Sequence, residues 1–246
     1  MGVIGKPSDW LISSIPDYKK INDIFNIRLI DIDINEVIDI YNNLCKIDNI
    51  REGYNSIEME KAMRFSKAMQ IIKDKYNLKS MTIRCFDLLK AINTTGCIAL
   101  SDLNDLGIVG TCEGDIMAMI SMYIIKVHFG KESFQANPSS VDIINKEVIF
   151  AHCTIPLKMC ESYTYDSHFE SKIGVAIRGK LYKRRVGVFR ISSDLKRYFF
   201  ECGEIIENLN EDNLCRTQIK VKFENDISSM LTNPKGNHHI IFYLND

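Results

Sequence analysis

No stretch of this chain approaches the roughly 18 consecutive apolar residues that a membrane-crossing helix requires. The opening Met1-Gly2-Val3-Ile4-Gly5-Lys6-Pro7 has neither the charged leader nor the long apolar run of a signal peptide. Charge of one sign is also missing. With 31 basic and 32 acidic side chains the net charge is −1, so the basic footprint of a nucleic-acid binder is absent. The eight cysteines include no C-x-x-C pair, which removes the usual zinc and thioredoxin-like signatures. Without a secretory leader they read as reduced, mostly buried thiols in a cytoplasm. There is no G-x-S-x-G, Walker or H-E-x-x-H motif, and Gly2-x-x-Gly5 lacks the third glycine of a dinucleotide fingerprint. Membrane, secreted, disordered and nucleotide-binding classes are set aside on these grounds.

What is present is an ordinary globular composition: 46% hydrophobic and 26% charged residues, with a mean hydropathy of −0.09. The 246 residues exceed one modal domain of roughly 100–150 and are few for three. Two domains, or one domain with a sizeable appendage, are therefore expected.

The first half alternates strand and helix signals. Gly2 to Gly5, Arg28 to Ile32, Met81 to Phe86 and Ile108 to Gly110 read as strands. An acidic-apolar helix is expected from Asn35 to Cys45, and a second after a Ser56 cap, with Ala62, Phe65, Met69 and Ile72 on one face. After Thr111-Cys112-Glu113-Gly114-Asp115 comes the clearest helix, with Ile116, Met119, Ile120 and Tyr123 on one face and a stop at Gly130. This order predicts an α/β domain with a parallel, doubly wound sheet over residues 1–135. Asn137-Pro138-Ser139-Ser140 reads as a turn or linker. Beyond it, strand runs at Glu147–Ala151, Val186–Ile191, Tyr198–Cys202, Thr217–Phe223 and Ile240–Leu244 predict an antiparallel β-barrel-like domain over residues 136–246. Lys180 to Arg185 reads as a solvated hairpin edge. The chain opens directly in a strand, and its first half has few βα units for a free-standing domain, a pattern that suggests a missing upstream domain.

Glu113 is the acid placed best for chemistry. It stands at a strand-to-helix turn on the carboxyl edge of the expected sheet, where open α/β sheets build their sites. The adjoining helix N-terminus favours its ionised, metal-ligating form. Only five histidines exist. His128 suits the C-terminal end of its helix, where a cation meets the dipole. Glu113 with His152 and one of His238 or His239 would form a mixed oxygen and nitrogen site fit for Mn²⁺. Strand alternation lets only one of the adjacent histidines face a given pocket.

Seven strings, taken together and in order, resemble the L-fucose isomerase-like proteins, a family that includes the L-arabinose isomerases. Val3-Ile4-Gly5-Lys6-Pro7-Ser8-Asp9-Trp10-Leu11-Ile12, Arg84-Cys85-Phe86-Asp87 and Thr111-Cys112-Glu113-Gly114-Asp115 are similar to motifs of its middle domain. Ala136-Asn137-Pro138-Ser139, Ala151-His152-Cys153-Thr154-Ile155-Pro156, Ser167-His168-Phe169-Glu170-Ser171 and Gly236-Asn237-His238-His239 are similar to motifs of its C-terminal portion. The resemblance implies a Mn²⁺-dependent aldose–ketose isomerase acting on a sugar through an enediolate. It also implies an oligomer and a first α/β domain without a counterpart here, so that the chain resembles the middle and last domains alone, from a split gene whose partner would be a separate N-terminal domain polypeptide, from a truncated relative or from a fragment. Carried over by position, Glu113 is the metal-binding and catalytic glutamate, and His152 a metal or substrate histidine. The C-terminal metal histidine falls on His238 or His239, with His238 favoured because it follows Gly-Asn directly. Arg84, Asp87 and His168 are candidate sugar contacts. The family's second catalytic acid falls on Asn137, whose amide neither accepts nor delivers the proton such a reaction moves. Asp115 and Asp142 are candidate substitutes. The alternative is a non-catalytic sugar-binding or assembly subunit of the same origin.

Overall fold

The structure, a computed structural model, describes residues 1–244. The first half alternates short strands with helices. They run β1 (Gly2–Ile4), α1 (Tyr18–Phe25), β2 (Ile30–Ile32), α2 (Ile34–Asn43), α3 (Ser56–Lys75), β3 (Ser80–Ile83), α4 (Phe86–Ile92), α5 (Cys97–Asp105), β4 (Val109–Thr111) and α6 (Ile116–Phe129). The four strands are parallel and lie in the order β2-β1-β3-β4. Alternation along β1 sends neighbouring side chains into different cores. Ile4 packs with Met81 and Ile83 against Phe65 and Met69 of α3 and Leu100 and Leu103 of α5. Val3 joins Val109, Ile21 of α1, and Ile116 and Ile120 of α6.

The second half runs β5 (Phe134–Asp142), β6 (Glu147–His152), β7 (Cys160–Asp166), β8 (Ala176–Leu181), β9 (Arg185–Ile191), β10 (Tyr198–Asn208), β11 (Thr217–Phe223), α7 (Ser229–Thr232) and β12 (His239–Tyr243). Six strands close an antiparallel barrel in the order β10-β11-β6-β5-β12-β9, and β7 pairs with β8 as a separate ribbon. In β11 the apolar Ile219, Val221 and Phe223 join the barrel core while Lys222 stays exposed, as a period of two requires. The barrel core also takes in Met59 and Ala62 of α3 and Ile98 of α5. On the other side α6 packs on Ile240 and Phe242 of β12. The helices of the first half thus serve as walls for both layers.

Two local expectations are corrected. Asn137-Pro138-Ser139-Ser140 is not a linker but the middle of β5, and pairing with β6 shifts register between Pro138 and Ser140. Proline lacks the ladder N–H, so a strand accommodates it at a bulge. The cap of α3 is Asn55, whose side chain accepts from the N–H groups of Ile57 and Glu58. Ser56 is the first helical residue.

Candidate metal centre

Glu113 lies in the turn from β4 to α6. Both it and Gly114 have φ of +63°, left-handed backbone that a non-glycine residue adopts only under constraint. The constraint is visible. Gly114 N–H donates to the Ile83 carbonyl at 2.9 Å, and its own carbonyl accepts from Ser8 N–H at 3.2 Å. A Cβ at position 114 would stand 2.7 Å from the Lys6 carbonyl oxygen, so only glycine fits there.

The barrel brings the other groups to this turn. His152 ends β6 and His238 immediately precedes β12; both strands flank β5. Glu113 Oε1 lies 3.5 Å from Nε2 of His152 and 3.4 Å from Nε2 of His238. One ligand atom from each of the three residues falls within 4.8 Å of the other two. The imidazoles meet edge to face at 5.3 Å between ring centres. Both histidines are buried, while the Glu113 side chain keeps 14% of its surface exposed.

Each histidine is held from behind. His238 Nδ1 bonds Asp115 Oδ2 at 2.8 Å, and His152 Nδ1 shares a 3.0 Å hydrogen bond with the Thr154 hydroxyl. Asp115 is also gripped by Arg190, through contacts of 2.9 and 3.0 Å to its two oxygens. Neither side chain of that pair is exposed at all. Arg190 donates further to the Ser13 carbonyl at 3.1 Å and the Lys235 carbonyl at 3.4 Å. A buried ion pair survives loss of water only with this degree of hydrogen bonding.

These contacts set the charges. Burial alone would raise the Glu113 carboxyl, but the charge and hydrogen bonds of His238 and His152 outweigh it, leaving the group far below the usual carboxylate range. Asp115 likewise stays ionised despite complete burial, because Arg190 and His238 face it. For His238, burial works against the charged form; Glu113 and Asp115 reverse this and lift it to about 9. One carboxylate oxygen and two imidazole nitrogens, converging and oriented by partners on their far sides, fit a divalent cation.

No family model matches the chain. It is similar to proteins named sulfoquinovose isomerase. That from Alkalicoccus urumqiensis is 24% identical over 172 residues, 62% of this chain and 38% of the relative. That from Priestia aryabhattai is 26% identical over 144 residues, 56% of this chain and 32% of the relative. One from Clostridium sp. strain MSTE9 is 30% identical over 92 residues, 37% of this chain and 21% of the relative. The chain therefore spans less than two fifths of the length of these curated relatives. Its likeness is to sugar isomerases.

The remaining candidate residues are dispersed. In front of Glu113 opens a cleft of about 590 Å³, whose lining includes Trp10, Phe86, Asn137, Glu170, Leu231 and Asn237. Asn137 lines the same cleft as Glu113. His239 is not in the cluster. It points among Phe150 and Phe199 of the barrel, at 6.1 and 5.2 Å between ring centres, and burial pushes its imidazole down to about 3. Arg84 and Asp87 line a neighbouring cleft of about 540 Å³, with the Arg84 guanidinium 4.6 Å over the Trp10 ring. His168 is buried in its own loop, its Nδ1 3.0 Å from the Ser171 hydroxyl. Asp115 is sealed behind His238, and Asp142 caps the β5–β6 turn through Asn145.

Sequence reasoning missed Arg190 and did not weigh Glu170. A signal existed for Arg190: it continues the Val186, Val188 alternation of β9, a charge where the pattern calls for an inward apolar residue. Glu170 was legible only as part of a motif string, because nothing in the spacing brings residue 170 near residue 113.

Proposed function

We propose that this chain carries the metal-holding part of a divalent-cation-dependent aldose–ketose isomerase of the L-fucose isomerase-like group, acting on a sugar. The observation that carries this reading is the convergence of Glu113, His152 and His238 beside an open cleft, in a chain similar to sulfoquinovose isomerases. Those three residues would hold the cation, and Mn²⁺ suits their mixed donor set. When bound, the cation supplies polarisation of the sugar's carbonyl and hydroxyl oxygens.

The chain's own groups do the rest. Asp115 and Thr154 fix the ring orientations of His238 and His152, so that Nε2 of each is presented to the site. Trp10 and Phe86, in edge contact at 6.0 Å, offer an apolar wall to a sugar's C–H face. The Asn237 side-chain oxygen already accepts from Ile12 N–H at 2.6 Å, which leaves its NH₂ to donate to a hydroxyl. Arg84 and Asp87, in the adjoining cleft, are assigned to the end of the substrate remote from the cation. In this reading the sheet is a doubly wound domain over residues 1–135 and the barrel a second domain over 136–246. The working enzyme is a cytoplasmic oligomer.

The test pairs binding with turnover. Calorimetric titration of the metal-free chain with MnCl₂ is expected to show micromolar binding that Glu113→Gln abolishes. Nuclear magnetic resonance of sulfoquinovose and a panel of plain aldoses, incubated with the Mn²⁺-loaded chain, is expected to show a ketose signal that the same variant loses. Undiminished turnover by Glu113→Gln overturns the assignment.

A further inference from the structure

We propose that Glu170 is the carboxylate that carries the proton in this site, an assignment that rests on the isomerase reading above. Among the described residues lining the cleft, only Glu113 and Glu170 are ionisable. Glu113 converges with two imidazole nitrogens and spends its oxygen as a ligand. Asn137, in the same cleft, bears an amide that cannot exchange the proton. The histidines have their Nδ1 atoms engaged and their Nε2 atoms aimed at Glu113. Glu170 is the one ionisable side chain of that lining left without a ligating role. Its carboxylate has no hydrogen bond or ion pair among the described residues.

The loop that carries it, residues 167–175 between β7 and β8, is held from several sides. His168 accepts from Lys172 N–H at 2.9 Å through its carbonyl and donates its own N–H to the Ile173 carbonyl at 3.3 Å. Arg216 Nε donates to the Ser167 carbonyl at 2.9 Å, and Gly174 N–H donates to the Glu58 carboxylate at 3.0 Å. The His168 ring meets Phe86 edge to face at 6.2 Å, and Phe86 itself lines the cleft. His168 thus ties the loop that carries Glu170 to Phe86 in the cleft wall.

The step balances within the substrate. Glu170 takes the proton from C2 of the aldose; the C–H electron pair becomes the C1–C2 double bond, and the carbonyl π pair moves to O1. The O2 proton is lost as O1 gains one, C2 becomes the carbonyl carbon, and Glu170 returns its proton to C1. C2 is oxidised and C1 reduced, with no outside reductant. A well-placed carboxylate contributes roughly 10²–10⁴-fold in such a transfer.

The experiment uses the full chain with MnCl₂ and sulfoquinovose, comparing wild type, Glu170→Gln and Glu170→Asp. Glu170→Gln is expected to lower kcat by at least about 100-fold, with Mn²⁺ affinity, KM and melting temperature within about threefold or a few degrees of wild type. Glu170→Asp is expected to recover part of the rate, and deuterium exchange at C2 in D₂O should fall with kcat. An active wild type beside an equally active Glu170→Gln overturns the role of Glu170 and leaves the isomerase reading standing. A wild type that binds Mn²⁺ but converts neither sulfoquinovose nor any aldose of the panel overturns the isomerase reading, and this assignment with it.

Discussion

Arg190 and Asp115 place two full charges where no water reaches them, and their worth lies in what they do to His238. A carboxylate behind a ligating imidazole sets its tautomer and basicity, and removing one typically costs 10–100-fold in metal affinity. Asp115→Asn is therefore expected to weaken Mn²⁺ by about that factor in calorimetry. It should also lower stability by roughly 3–5 kcal/mol, because Arg190 is left as a buried unpaired charge. The pH dependence follows from His238. Its folded-state pKa is raised from 6.5 to about 9, so the metal-free protein carries a proton there at neutral pH. Ligation needs that lone pair, so binding expels the proton and affinity should rise as pH climbs toward 9. The slope is up to about tenfold per pH unit, measured by titration in buffers of differing ionisation enthalpy. The same shift means that His238 stabilises the metal-free fold fully below pH 6.5, and that this contribution fades as pH rises through 9. His239 has the opposite sign. Lowered to about 3, it stays neutral in the barrel while the unfolded chain takes up a proton. Stability should therefore drop as pH falls from about 6.5 toward 3, and urea melts across that window should show less acid loss for His239→Phe.

Among the elements, the β4–α6 turn decides most. Asp115 is at once the N-cap of α6, accepting from Ala118 N–H at 2.9 Å, and the partner of Arg190 and His238. One residue thus ties helix start, ion pair and candidate ligand together. Gly114→Ala forces a Cβ onto the Lys6 carbonyl oxygen at a left-handed position. A loss of about 1–3 kcal/mol in chemical denaturation is expected, together with displacement of Glu113 and weaker Mn²⁺ binding. Gly236 faces a similar limit, since a Cβ there would collide with the Arg190 guanidinium. The sequence signalled α6 through its apolar face and Gly130 stop, and β11 through strict alternation. It did not signal α4 or α5, whose apolar residues sit in runs too short for a helical period to show. Proline in β5 read as a break because its effect depends on pairing with β6, and pairing is invisible locally.

At the scale of the whole molecule, Glu113 comes from the sheet and both histidines come from the barrel. A cation held by all three would bind the folded arrangement and not the open chain, so it stabilises by mass action. At free Mn²⁺ about 100 times Kd the gain is about 2.7 kcal/mol, equivalent to roughly 5–10 °C in Tm for a chain of this size. Circular dichroism melts with and without MnCl₂ should show that shift in wild type and none in Glu113→Gln. Full reversal by chelator is expected.

Fold class was legible because period and order are local properties: a 3.6-residue stripe, a two-residue alternation and the strand–helix succession are written in neighbouring residues. The motif strings also pointed to Glu113, His152 and the Gly236-Asn237-His238-His239 turn. Which of the paired histidines joins the cluster was a matter of barrel register. Ala136 of β5 faces His239, and β12 begins there, so His239 turns into the apolar interior and His238 meets Glu113. Arg190 stands 75 residues from Asp115 and Asp115 stands 123 from His238, while Glu170 shares only a cleft with Glu113. Closing the barrel against the sheet creates those juxtapositions, and no window along the chain contains them.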